Sequence, residues 1–109
     1  MKRGEVWVAA GGKEYAGKPR PSVIVQDDQF EATDSLTICP FTSDPTDAWQ
    51  IRLLIQPSAQ NGLRHPSRLM IDKVITMRKE KFDRRIGKLA DADMTRLNNA
   101  LVVFLGLAG

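Results

Sequence analysis

Cysteine occurs once in this sequence, at Cys39, and histidine once, at His65. One thiol forbids an internal disulfide, and a thiolate with a single imidazole falls short of the three or four ligands of a zinc site. No run approaches the roughly 20 apolar residues that cross a bilayer, and Met1-Lys2-Arg3-Gly4-Glu5 lacks the apolar stretch of a signal peptide. The expectation is therefore a soluble cytoplasmic protein. Aromatic side chains make up 6% of the chain and mostly look like core, which leaves little for base stacking. What is present suits a folded domain. The 109 residues, 42% hydrophobic and 27% charged, are sized for one domain over residues 1–109. Such a chain buries about two-thirds of its unfolded surface without disulfide or metal staples.

The formal net charge of +3 conceals an uneven distribution. Residues 1–49 carry eight acidic and five basic side chains, residues 50–90 three acidic and ten basic, and residues 91–109 two acidic and one basic. Positive charge gathered in the middle of the chain suits a polyanion such as nucleic acid, or an acidic protein partner. A solvated basic face accounts for the charge alone equally well.

Residues 5–10 read as a first strand that stops at Gly11-Gly12. Residues 11–21 then hold three glycines, two prolines and four charged side chains, the composition of a long exposed connection. Residues 22–26 follow as a strand buried on both faces, with Arg20 between two prolines at its entrance. Residues 35–41 make a third strand, Pro40 lying near its end where a missing donor is tolerable, and Thr42 and Ser43 come just after. Strand character returns at 50–55, 67–72, 74–77 and 85–89, with turn signals at Asp44-Pro45 and Asn61-Gly62. Six or so short strands at this spacing predict a compact barrel-like sheet. The last segment changes period. Met94, Leu97, Leu101, Phe104, Leu105 and Ala108 recur every three or four residues, the stripe of a helix packed on the core. Asp91 is the expected N-cap, Asp93 complements the dipole, and Gly106 and Gly109 mark a weakening end.

Several chemistries fail against these residues. A serine triad needs a histidine base, and His65 stands between Arg64 and Pro66 in a turn-rich stretch that suggests no role for it. The spacing from Gly12 to Gly17-Lys18 approaches a phosphate-binding loop, but Pro19 replaces the required hydroxyl and a strand follows in place of a helix. Asp27 and Asp28, if extended, point to opposite faces, so no carboxylate cluster for a metal is expected. What remains is Arg20, Thr42, Ser43 and Asp72, with Lys18, Lys73 and Arg64 nearby. Guanidinium and hydroxyl donors of this kind hold a phosphate and stabilise charge that builds on its oxygens. An RNA substrate would bring its own nucleophile, the 2′-hydroxyl, so neither metal nor protein nucleophile is required. Plainer readings stand beside each residue: a surface arginine, a Thr-Ser turn, an aspartate capping a turn.

The chain resembles a known family in Lys2-Arg3-Gly4-Glu5-Val6-Trp7, in Gly17-Lys18-Pro19-Arg20-Pro21-Ser22-Val23-Ile24-Val25 and in Phe41-Thr42-Ser43-Asp44. The likeness continues through Asn61-Gly62-Leu63-Arg64, Ile71-Asp72-Lys73-Val74 and Ile86-Gly87-Lys88-Leu89, spanning nearly the whole length. In this order these segments resemble the MazF/PemK-like toxin endoribonucleases of bacterial toxin–antitoxin systems. The resemblance implies a mainly β fold with α: a small SH3-like sheet of the CcdB/PemK barrel type with a C-terminal helix, acting as a homodimer. It implies cofactor-free cleavage of single-stranded RNA at short sequence motifs. The 2′-oxygen attacks the adjacent phosphate and leaves a 2′,3′-cyclic phosphate and a 5′-hydroxyl. A cognate antitoxin would neutralise the enzyme, and DNA would be met only through the antitoxin complex.

By motif match the catalytic arginine falls on Arg20 and the catalytic threonine on Thr42. Ser43, Asp72 and Lys73 fall where relatives contact RNA or assist proton transfer, and Lys18 and Arg64 are expected RNA contacts. Residues 11–18 look like the flexible gate beside the groove, although Gly12-Lys13-Glu14-Tyr15 replaces the Gly-Ser-Glu-Gln of many relatives. A guanidinium with a pKa above about 12 does not accept protons, so Arg20 is read as a stabiliser and Asp72 as the candidate base.

Two other functions compete. A CcdB-like gyrase poison depends on an aromatic tip at the helix end, and the chain here closes on Leu105-Gly106-Leu107-Ala108-Gly109 without a tryptophan. A noncatalytic RNA-binding barrel would bind RNA and leave it whole. The basic stretch from Arg78 to Arg85 could line an RNA groove, receive an acidic antitoxin segment, or be a solvated hairpin.

Overall fold

Glu5-Val6-Trp7-Val8-Ala9 is rich in β-branched and aromatic residues, and this first strand, β1 (Glu5–Ala9), turns Val6 and Val8 inward. The computed structural model describes residues 1–10, 18–48 and 50–109. The expected gate, residues 11–18, therefore lies outside the described residues except for Lys18. Six more strands follow: β2 (Arg20–Ile24), β3 (Ser35–Thr42), β4 (Arg52–Ile55), β5 (Ser67–Met70), β6 (Ile75–Arg78) and β7 (Phe82–Lys88). The chain ends in α1 (Asp91–Phe104).

All pairings are antiparallel: β1 lies between β2 and β7, and β2 pairs with β3. The first half of β3 pairs with β6, and its last two residues pair with β5, which in turn pairs with β4. Thus β3 belongs to two sheets. Because β6 runs into β7 through the single 3-10 turn Lys79–Lys81, the strands β7, β1, β2, β3 and β6 curl round on themselves. The expected barrel-like sheet with a C-terminal helix is present. Its main core gathers Val6, Val23, Cys39, Phe41, Ile55, Leu69, Ile71, Leu89 and Leu97, and a smaller one joins Ile24, Leu36 and Ile38.

The structure corrects several local expectations. Arg20 does not precede β2 but begins it, opposite Ala9 of β1. The strand expected over 67–72 stops at Met70, and Asp72 sits on a 3-10 turn, Ile71–Lys73. Asp27 and Asp28 do not continue a strand: Asp27, its backbone extended, accepts the Gln29 N–H at 2.9 Å and caps the short turn Asp28–Phe30, while Asp28 accepts the Arg3 N–H at 2.6 Å. The stretch from Arg78 to Arg85 is not a hairpin, since β6 and β7 pair with β3 and β1. The N-cap is Ala90, without a side-chain bond, and Asp91 is the first helical residue.

The helical stripe divides. Leu97 is fully buried, with Met94, Ala100 and Leu101 packed against the main core, but Phe104 and Leu105 are exposed. The helix leans on the Ile71–Lys73 turn and on β4, and its last turn runs past that support. Gly106, at φ +74°, ends it: its N–H reaches the Val103 carbonyl at 3.1 Å and the Leu107 N–H reaches Val102 at 2.9 Å, a paired closure that satisfies two orphan carbonyls. Among the described residues no helix is long and apolar enough to cross a membrane.

Candidate nucleic-acid cleft

The register between β2 and β3 places Ser22 opposite Pro40, Val23 opposite Cys39 and Ile24 opposite Ile38. Carried two residues further, it aligns Arg20, the first residue of β2, with Thr42, the last of β3. Pro40 has no N–H to extend the ladder, whose outermost pair is Ser22 with Pro40. The strand ends beyond that pair open into a cleft of about 670 Å³ that both Arg20 and Thr42 line. The Thr42 Oγ1 accepts the Asp44 N–H at 3.1 Å, which orients the hydroxyl and leaves its proton to be donated outward.

Val8, Phe41, Leu63 and Ile86 supply the cleft's apolar lining. Among the described residues its charged lining is mainly cationic, with Lys18, Arg20, Arg64 and Arg84 beside the carboxylate of Asp83. That carboxylate already accepts from Arg84, Nη1 to Oδ2 at 2.8 Å. A concave surface with clustered cations concentrates its field on a polyanion backbone.

One wall of the cleft is the connection from β4 to β5, and its shape follows from Asn61-Gly62. Asn61 is only 3% exposed. Its Oδ1 accepts the N–H groups of Ser58 at 2.9 Å and Leu63 at 3.0 Å, and its Nδ2 donates to the Gln56 carbonyl at 2.9 Å. Gly62 has φ +72°, and a Cβ there would stand 1.9 Å from the Ile86 carbonyl oxygen. A Cβ on Gly87 would likewise meet Asn61 at 2.4 Å. This close backbone contact clamps the connection onto β7 and delivers Leu63, Arg64 and His65 to the cleft. Ser67 Oγ then donates to the His65 carbonyl at 3.0 Å.

Of the expected site residues, Lys18, Arg20, Thr42, Ser43 and Arg64 meet in this cleft. Asp72 and Lys73 are not brought to it. Asp72 lies on the turn beneath α1 and is ion-paired with Arg52 Nη1. Partial burial pushes its carboxyl up, but the hydrogen bond and charge of Arg52 outweigh that effect and hold it below the usual carboxylate range. Of the basic stretch, Asp83 and Arg84 reach the cleft. Lys79 Nζ instead donates to the Glu31 carbonyl, and Arg78 lies 3.8 Å from Glu80. Cys39 is buried, donating to the Met70 carbonyl at 3.4 Å, and burial pushes its thiol up to about 12. It is an inert part of the core.

Sequence reasoning missed His65 and Ser67 as cleft residues, whereas Asp83 and Arg84 belong to the basic stretch that it left open as a groove lining. The signal for His65 and Ser67 is a tertiary one: Thr42 pairs with Arg68, and that pairing carries the residues just before Arg68 to the cleft. Among the described residues no group of three or more His, Cys, Asp or Glu side chains is placed to hold a metal ion.

A small antiparallel barrel with a C-terminal helix and a cationic, hydroxyl-bearing cleft has the form of a polyanion-binding barrel protein. Residues 2–105 match the PemK-like, MazF-like toxins of type II toxin–antitoxin systems, and the chain belongs to that family. It is 50% identical over 109 residues to a probable endoribonuclease MazF of Mycolicibacterium smegmatis, covering 100% of both chains. It is 28% identical to the endoribonuclease MazF9 of Mycobacterium tuberculosis, covering 98% of each. Its fold is similar to that of a mycobacterial endoribonuclease solved in complex with its cognate antitoxin, with a TM-score of 0.81 at 22% identity, covering 98% of this chain and 96% of that one.

Proposed function

We propose that this chain is a cytoplasmic endoribonuclease toxin, one domain over residues 1–109, that cleaves single-stranded RNA at a short sequence motif. The observation that carries the reading is that Arg20, the first residue of β2, and Thr42, the last of β3, line one cationic cleft. The scissile phosphate sits against Arg20, whose guanidinium offsets the charge that accumulates as the 2′-oxygen attacks. Thr42 donates its hydroxyl proton to a non-bridging oxygen. Lys18, Ser43 and Arg64 hold the flanking backbone. The products are a 2′,3′-cyclic phosphate and a 5′-hydroxyl, and no step is routed through a metal.

Family membership supports two partners. One is a cognate antitoxin, which neutralises the enzyme by covering the cleft. The other is a second copy of the chain, and the exposed Val103, Phe104, Leu105 and Leu107 form apolar surface of the kind a partner covers.

The test is cleavage of an unstructured RNA in EDTA. Wild type yields 5′-hydroxyl ends, and Arg20→Ala and Thr42→Ala each lose about 10²- to 10³-fold in kcat, the effect of removing one preorganised donor. Full activity in Arg20→Ala overturns the mechanism. Intact RNA together with inhibited gyrase supercoiling overturns the function.

A further inference from the structure

We propose that His65 accepts the proton of the attacking 2′-hydroxyl, an inference that rests on the ribonuclease reading of the cleft. As the O2′–P bond forms, O2′ must give up its proton; the P–O5′ bond breaks, and O5′ takes one from water. The imidazolium then returns its proton to solvent.

The described cleft residues narrow the acceptor to one. Lys18, Arg20, Arg64 and Arg84 are cations with no lone pair to offer. The hydroxyls of Thr42, Ser43 and Ser67 are weak bases. Asp83 is already engaged through Oδ2 by its neighbour Arg84, and Asp72 is outside the cleft, paired with Arg52. Imidazole is the side-chain group whose ordinary pKa, about 6.5, lets it take and release protons near neutrality. The position is built as well as available. Asn61, Gly62 and Gly87 clamp the connection onto β7, and Ser67 Oγ holds the His65 carbonyl. Among the described residues, the charged groups that share the cleft with the imidazole are Lys18 just before β2, Arg20 at its start, Arg64 beside the imidazole, and Asp83 and Arg84 from β7.

A base works in its neutral form, so kcat rises with pH and then levels off. The experiment measures kcat and KM on an unstructured RNA in EDTA between about pH 5 and 9 for wild type, His65→Gln and His65→Ala. Thermal melts confirm that both variants are folded. Wild type is expected to show an acid limb. Both variants are expected to lose about 10²-fold or more in kcat, with KM little changed and the limb gone. Free imidazole should restore part of the activity of His65→Ala and none of that of His65→Gln. Variants that keep wild-type kcat and the acid limb overturn the assignment. So do variants whose KM alone rises, which would make His65 an RNA contact. A wild-type protein that leaves RNA whole overturns the ribonuclease reading beneath it, whereas cleaving wild type beside an equally active His65→Gln overturns the histidine alone.

Discussion

Arg52 and Asp72 are twenty positions apart in the chain, and their pairing turns a free-looking carboxylate into a structural anion. Partial burial opposes the charge on Asp72, and Arg52 more than offsets it, so the folded carboxyl titrates below its ordinary 3.8. A group depressed in this way contributes stability in full above its unfolded value, and the contribution is lost as pH falls through the folded one. Asp72→Asn is therefore expected to lower the melting temperature at neutral pH. The gap to wild type should close as the pH drops below 3.8, which melts at several pH values would check. An equal gap at acid and neutral pH would show that the pair does not act through charge.

The connection between β4 and β5 links stability to the cleft, because one glycine contact shapes both. In Gly62→Ala a side chain enters a left-handed backbone position, which costs about 1 to 2 kcal/mol, and its Cβ also presses on the Ile86 carbonyl. The expected result in urea denaturation is a loss of more than about 2 kcal/mol, with RNA cleavage falling in the protein that remains folded because His65 and Arg64 shift. The helix offers a contrast. Leu97 is its one fully buried side chain, so Leu97→Ala should cost about 2 to 5 kcal/mol while kcat in the folded fraction stays close to wild type. A cleft left unchanged in Gly62→Ala would show that the loop is not held as described.

The sheet and its loops gather charge from distant parts of the chain: Lys18 and Arg20 from the acidic first half, Arg64 and Arg84 from the basic middle. Four cations on a single-stranded backbone predict a log-log salt slope of about −3, at about −0.7 per phosphate neutralised. Binding of an RNA methylated at its 2′-hydroxyls, which cannot react, would measure the slope without cleavage. Arg64→Ala should flatten it by about 0.7, and an unchanged slope would place Arg64 off the RNA.

Much of this was readable along the chain, because it depends on neighbours in sequence. The apolar run of residues 6–10 that stops at Gly11-Gly12, the proline-flanked Arg20 and the three- and four-residue repeat around Leu97 each report local geometry. Strand content, the terminal helix and the candidate pair Arg20 and Thr42 followed from them, with the family likeness supplying the pair's roles. The site's membership did not follow, since it depends on which strands pair. The β3–β5 register brings His65 to the cleft, the Lys79–Lys81 turn sends β6 and β7 to different partners, and Arg52 draws Asp72 away from the chemistry. Those pairings join residues dozens of positions apart. Periodicity cannot report them, because it records which face a residue turns inward and not what it meets there.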